Sequence, residues 1–345
     1  MNDSKFASVK KAPAARSKQI GVHPAVAGAA LLLLTLTAIA QPSTVWTICD
    51  SIPTANNLSC VAGAEGLFAA VGDSGTIISS RDAQKWVKRN VPTKLPLRSV
   101  AFSESLFVAV GDSGMILTSP DCSVWTNRSA AVTAALHGVA WTGKKFVAVG
   151  TGGTIVISSD GTEWTSVDSK TLKDLKAVTM TDTEVVAVGS AGAFLRSSEG
   201  TRWDTVPNLG GNLTFLTWSG KELFVGISGA VGILSKSPQS IRIVWCYRIG
   251  DGSKIGDLGL TAIAADNDQL LVGVWLKTGL PIPNEPIGGR IFASTDFPIW
   301  SQASTKGYST LVSFIAITKN KYIAVGAQGY LTTCPKQLFV QELCQ

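Results

Sequence analysis

Tryptophan recurs along this chain at a nearly constant interval. Trp46, Trp86, Trp125, Trp164, Trp203, Trp245 and Trp300 are separated by 40, 39, 39, 39, 42 and 55 residues. A second ladder keeps step with the first. Phe68, Phe107, Phe146, Val185 and Phe224 are each 39 residues apart, and Leu271 and Tyr322 extend the series. A period near 40, filled with strand-forming residues, restricts the chain to an array of similar small sheets that bury their apolar faces against one another.

Each unit contains four β-rich segments separated by Gly, Asp and Ser, the composition of strands and tight hairpins. In the second unit these are Leu97 to Phe102, Phe107 to Gly111, Met115 to Ser119 and a segment starting at Trp125, with Asp112-Ser113-Gly114 as a turn. The first segment begins at Leu58, Leu97, Leu136, Leu175, Leu213, Leu260 and Leu311. The expected fold is therefore all-β: a seven-bladed β-propeller of four-stranded antiparallel blades. The repeating Trp residues are expected to fill the gaps between blades, as large rings do in cores.

Ring closure is also predicted. Trp46 precedes the first complete unit, whereas the last unit has no Trp after its third strand. Residues 44–50 are thus expected to complete the last blade and remove an open edge. Residues 338–343 are apolar and compete for that position. Cys49, Cys334 and Cys344 all fall at this junction, so a disulfide from Cys49 to either of the others is a candidate staple. The six Cys include no C-x-x-C pair, and no metal site or cofactor is expected.

Four units carry Ser-x-Asp before their Trp, with Asp82, Asp121, Asp160 and Asp296 four positions ahead of it. A fifth has Glu199. These motifs resemble the BNR (Asp-box) repeat of sialidase-type propellers, within the wider WD40/YVTN/BNR-like class. The Asp-box has five positions from Asp to Trp, so the match is to the broad class. The repeated "VAVGDSG" style also looks like the photosystem II stability/assembly factor group. This resemblance covers nearly the whole region after residue 40 and implies the propeller fold; it says little about activity. Recurrence of the Asp in unit after unit assigns it to turn structure, since a catalytic residue would occur once.

The N-terminus reads as a targeting segment. Five basic residues against Asp3 are followed by an uncharged apolar run over residues 25–40, ending in Ala38-Ile39-Ala40 before Gln41. That is the pattern of a signal peptide, with an uncleaved anchor as the alternative. Two parts follow: residues 1–40 as the signal and residues 41–345 as a single propeller domain, exported to a periplasmic or extracellular location. The first 24 residues hold +4 of the net +6, so the remainder is close to neutral and bulk charge argues against nucleic acid as a partner. A membrane partner is expected only if the segment stays uncleaved.

Catalytic sets are not legible. After residue 40 the only histidine is His137, which sits in a first strand where other units have Arg98 or Lys176. No G-x-S-x-G elbow accompanies it. Hydrolysis of the sialidase type, which the resemblance suggests, calls for an arginine triad and a Tyr nucleophile with its Glu. The chain has four Tyr and lacks the early Arg motif. No catalytic residue is assigned.

Departures from the repeat locate the candidate site. The link between Trp245 and Leu260 is lengthened, and so is the hairpin from Trp275 to Gly289. Both are expected on one face at blades five and six. Tyr247, Arg248, Asp251, Lys254, Trp275, Lys277, Asn284, Glu285 and Arg290 are the candidate binding residues. The expected function is a non-catalytic interaction or assembly scaffold with a protein partner in the envelope or extracellular space. The alternative is a carbohydrate-binding protein or glycoside hydrolase.

Overall fold

The computed structural model describes residues 46–49, 51–64, 66–103, 105–128, 132–206, 210–227, 230–234, 241–244, 259–266, 269–275, 289–296, 299–303 and 312–336. They form a β-propeller of four-stranded antiparallel blades. Blade one contains Leu58–Ala64, Leu67–Gly72, Thr76–Ser80 and Val87–Lys88. Blades two, three and four repeat this order from Leu97–Phe102, Leu136–Trp141 and Leu175–Met180. Blades five and six begin at Leu213–Trp218 and Gly259–Ala265. Blade seven orders Thr47–Ile48, Leu331–Pro335, Lys321–Gly326 and Val312–Ile317.

The first strands contact one another in a closed cycle, blade one to two and onward through blade seven, which touches blade one again. All seven four-stranded sheets belong to this cycle, so a six-membered ring would leave one of them without a place. Closure is made by the N-terminal strand. Thr47 pairs with Thr333 and Ile48 with Thr332, and the Thr332 hydroxyl donates to the Thr47 carbonyl at 3.0 Å.

Alternation along the strands explains the packing. In blade two, Phe107 and Ala109 face blade one, where they meet Ala69, Val71 and Ile77; Val108 and Val110 face blade three and meet Phe146 and Trp164. Each second strand is thus apolar on both sides, as a strand buried on both faces must be. Trp86, Trp125, Trp164 and Trp203 are buried between blades, and Trp46 does the same between blades six and seven. Trp245 lies outside the described residues, and Trp300 is in the strand Ile299–Ala303. Tyr322, buried at the position of Phe107, donates its hydroxyl to Gln269, which meets the need of a buried phenol for a partner.

Turns between second and third strands in blades one to four and seven depend on two successive left-handed residues. Ser113 has φ 56° and Gly114 φ 69°. Gly111, just before this turn, is required for another reason. A Cβ there would stand 2.2 Å from the Pro96 carbonyl oxygen.

The candidate Cys49–Cys334 disulfide is excluded by register. Thr47 opposes Thr333, so Cys334 shares a face with Trp46, while Cys49 lies on the other face. Their surroundings agree: Cys49 packs with Ile78 and Trp86, and Cys334 with Trp46 and Tyr322. Cys344 and residues 338–343 lie outside the described residues.

Candidate functional site

A bulge interrupts each first strand near its start. In blade two the pairing jumps from Leu97 to Ser99, in blade three from Leu136 to Gly138 and in blade four from Leu175 to Ala177. The residues left out of register are Arg98, His137 and Lys176. A bulge turns its extra side chain away from the ladder, and these three reach the mouth of the central channel together.

Their polar contacts pair Arg98 within blade two and link blades three and four. Arg98 Nε and Nη2 donate to the two carboxylate oxygens of Asp112 at 2.9 and 2.8 Å. His137 Nε2 lies 3.1 Å from Thr151 Oγ1 and 3.3 Å from Lys176 Nζ. Lys176 Nζ also donates to Asp174 Oδ2 at 3.1 Å. Asp174 in turn accepts from the Gly152 amide at 2.9 Å. These hydrogen bonds, led by the Arg98 pair for Asp112 and by the Gly152 amide for Asp174, hold both carboxyls below the usual range. Burial, then the charges of Lys176 and Arg98, pushes the His137 pKa down against the opposing pull of Asp174 and Asp112. His137 is therefore the neutral member of a cationic arc at neutral pH.

Below this mouth the channel encloses about 570 Å³. Its wall is of mixed polarity, bordered by the first strands of the blades, whose Val178, Phe215, Leu216, Phe314 and Ala316 are partly exposed and pack into the cores between blades. The opposite mouth carries Phe102, Met180, Trp218 and Ile317. The two ends of one cavity thus differ in chemistry: charged at the bulged residues and apolar at the ends of the same strands.

The Ser-x-Asp motifs lie elsewhere, in the turns from third to fourth strands. Asp160 Oδ1 accepts from the Ser158 hydroxyl at 3.1 Å and from the Thr162 and Glu163 amides at 2.8 and 3.2 Å. The Trp164 indole then donates to the Gly161 carbonyl at 3.0 Å. Asp82 makes the same turn around Gln84 and Lys85, and Asp121 around Ser123. Backbone amides lower the pKa of Asp82 and Asp160, and the Ser123 hydroxyl leads the causes for Asp121. This geometry fixes a turn and seats a core indole; it leaves no carboxylate poised for proton transfer. Asp296 closes the strand Gly289–Asp296.

Most residues of the sequence-predicted site lie outside the described residues: Tyr247, Arg248, Asp251, Lys254, Lys277, Asn284 and Glu285. Trp275 ends the second strand of blade six and Arg290 pairs with Val274 in the third. From the sequence, Arg98, His137 and Lys176 are equivalent positions one repeat apart, but that reading does not assign them to the candidate site.

No family model matches the chain, and no curated protein matches it. Solved structures do. YCF48 bound to D1 peptide is 15% identical, with 88% of this chain and 100% of that one covered and a TM-score of 0.68. YCF48 from Cyanidioschyzon merolae is 17% identical over 85% and 99% of the two chains, with a TM-score of 0.66. Virginiamycin B lyase from Staphylococcus aureus is 11% identical over 85% and 99%, with a TM-score of 0.70. What the chain shares with all three is the β-propeller fold.

Proposed function

We propose that this chain is an exported, non-catalytic scaffold that binds a protein partner through the face bearing Arg98, His137 and Lys176. The observation that carries this reading is the three-blade polar arc at the channel mouth. Bulges present these side chains outward, and a rigid ring holds them in fixed relation, which lowers the ordering cost of binding. The links between blades and the turns between second and third strands emerge on that same face. A protein of the same fold, YCF48, is bound to D1 peptide, which supports a protein partner as the ligand class. The apolar run over residues 25–40 and the Ala38-Ile39-Ala40 site support export.

A photo-crosslinking residue at Thr214, on the same mouth, is expected to trap a discrete protein adduct in the native host. The same probe at Val124, on an outer turn, is expected to trap none. Combined Arg98→Ala and Lys176→Ala substitution is expected to abolish the adduct; an undiminished adduct overturns the site. Isolation of a chain beginning at Gln41 outside the cytoplasm would support export, and a cytoplasmic chain retaining Met1 would refute it.

A further inference from the structure

A clip between neighbouring blades recurs around the ring, and at two described junctions it is left unmade. The residue just before each first strand works in two directions. Its carbonyl accepts the amide that opens the turn between second and third strands of its own blade. Asp73 donates to Asn57 and Asp112 to Pro96, both at 3.0 Å, and Thr151 donates to Ala135 and Ser190 to Asp174, both at 2.9 Å. Its side chain reaches back to the preceding blade. Asn57 Oδ1 accepts the Gln328 amide at 2.9 Å, Asp174 Oδ1 the Gly152 amide at 2.9 Å and Asn212 Oδ1 the Ala191 amide at 3.0 Å. Each of these amides belongs to the left-handed residue at the centre of a turn. Ser74 and Ser113 hold the same place in blades one and two, with φ of 54° and 56° against 63°, 52° and 54° for Gly152, Ala191 and Gln328. The residues that would reach them are Pro96 and Ala135, which carry no side-chain acceptor. Ser74 and Ser113 are both exposed, and their amides lack the oxygen that the equivalent amides hold.

The bare turns also differ from the clipped ones in charge. They open with Asp73 and Asp112, whereas the clipped turns open with Thr151, Ser190 and Ala327. A carboxylate brought to the Ser74 or Ser113 amide would meet the carboxylate of the residue just before it, and like charges repel. A neutral carboxamide suits both neighbours, since it has an acceptor oxygen and two donor hydrogens. Asn57 shows this arrangement within the chain: its Oδ1 takes the Gln328 amide while its Nδ2 donates to Asp73 Oδ2 at 2.8 Å. From the two unmade clips, we infer that the Ser74 and Ser113 amides bind primary carboxamides, and that the partner presents Asn or Gln side chains to blades one to three. For the partner, this rests on the scaffold reading above and names the side chains that the partner brings.

Titration of the isotope-labelled full-length chain with acetamide and, separately, acetate tests this by NMR. Acetamide is expected to shift the Ser74 and Ser113 amide resonances saturably, and acetate to shift them less. The Gly152, Ala191 and Gln328 amides, already clipped, are expected to stay in place. The amide of Gly143, exposed in the hairpin between the first two strands of blade three, is the reference for non-specific response. Ala135→Asn supplies Ser113 with the oxygen that Asn212 gives to Ala191, and is expected to abolish the Ser113 response alone. Pro96→Asn is expected to do the same for Ser74. Unchanged resonances in the other blades show that each variant folds, and either one suffices for the test. In the native host, the combined Pro96→Asn and Ala135→Asn chain keeps Arg98 and Lys176 and is expected to lose the Thr214 adduct. Responses no larger than that of Gly143, equal responses from the clipped turns, a stronger response to acetate, or an adduct that survives both filled clips would overturn the inference. Absence of the adduct from the unsubstituted chain, with both amides still responding to acetamide, would refute the scaffold reading alone.

Discussion

Individual side chains at the mouth set a pH dependence whose sign is fixed. The folded-state pKa of His137 lies below its ordinary value, through burial first and then Lys176 and Arg98. The unfolded chain therefore binds the proton more readily, and stability is lost as pH falls from the ordinary histidine range through the lowered folded value. Melting temperatures measured between about pH 7.5 and 5 are expected to decline, and His137→Gln is expected to flatten that part of the decline. Asp112 and Asp174, both lowered, lose their own contributions at more acidic pH still. Burial also pushes the thiol of Cys60 up to about 11 and that of Cys122 up to about 12. Neither is expected to react with iodoacetamide at pH 8 in the folded chain, and both are expected to react in denaturant, read by mass spectrometry. At this scale the sequence was only partly legible. His137 could be counted from it, but its meeting with Lys176 depends on two bulges that no composition signal marks.

Elements are where the sequence spoke most clearly, because the 39-residue interval places equivalent residues in equivalent packing. Trp203 is fully buried between blades three and four. Trp203→Ala is expected to cost about 3–5 kcal/mol in chemical denaturation, from lost burial and a cavity that rigid sheets cannot close. Two glycines provide a sharper contrast. Gly111→Ala drives a methyl to 2.2 Å from the Pro96 carbonyl and is expected to cost about 1–3 kcal/mol as overpacking. Gly143 has φ 84° and open space around its missing Cβ, so Gly143→Ala is expected to cost about 1 kcal/mol for the left-handed backbone alone. Strand ends were harder to read. The third strand of blade two begins at Ile116, since the turn Asp112–Gly114 leaves Met115 as its flank. The Cys49–Cys334 alternative failed on strand parity: the two are close in topology yet point to opposite faces, and a pattern of cysteines along the chain carries no parity.

As a whole molecule the chain depends on a very short strand. Thr47 and Ile48 contribute the outermost position of blade seven, and Trp46 beside them fills the space between blades six and seven. A chain starting at residue 51 is expected to melt at a lower temperature and to self-associate in size-exclusion chromatography, because the edge Leu331–Pro335 is then unpaired. That closure was readable from an unmatched Trp at the start and a missing one at the end. The channel was not, since its wall is assembled from one strand of every blade.

The bond from Thr332 to Thr47 spans 285 residues. As the chain leaves the ribosome, blades one to six can form in order, but the first strand made must wait for the last. Throughout that interval Trp46 has no pocket, and both flanks of the growing arc are open. A factor that shields this segment during synthesis or export would act on folding yield without touching the finished ring.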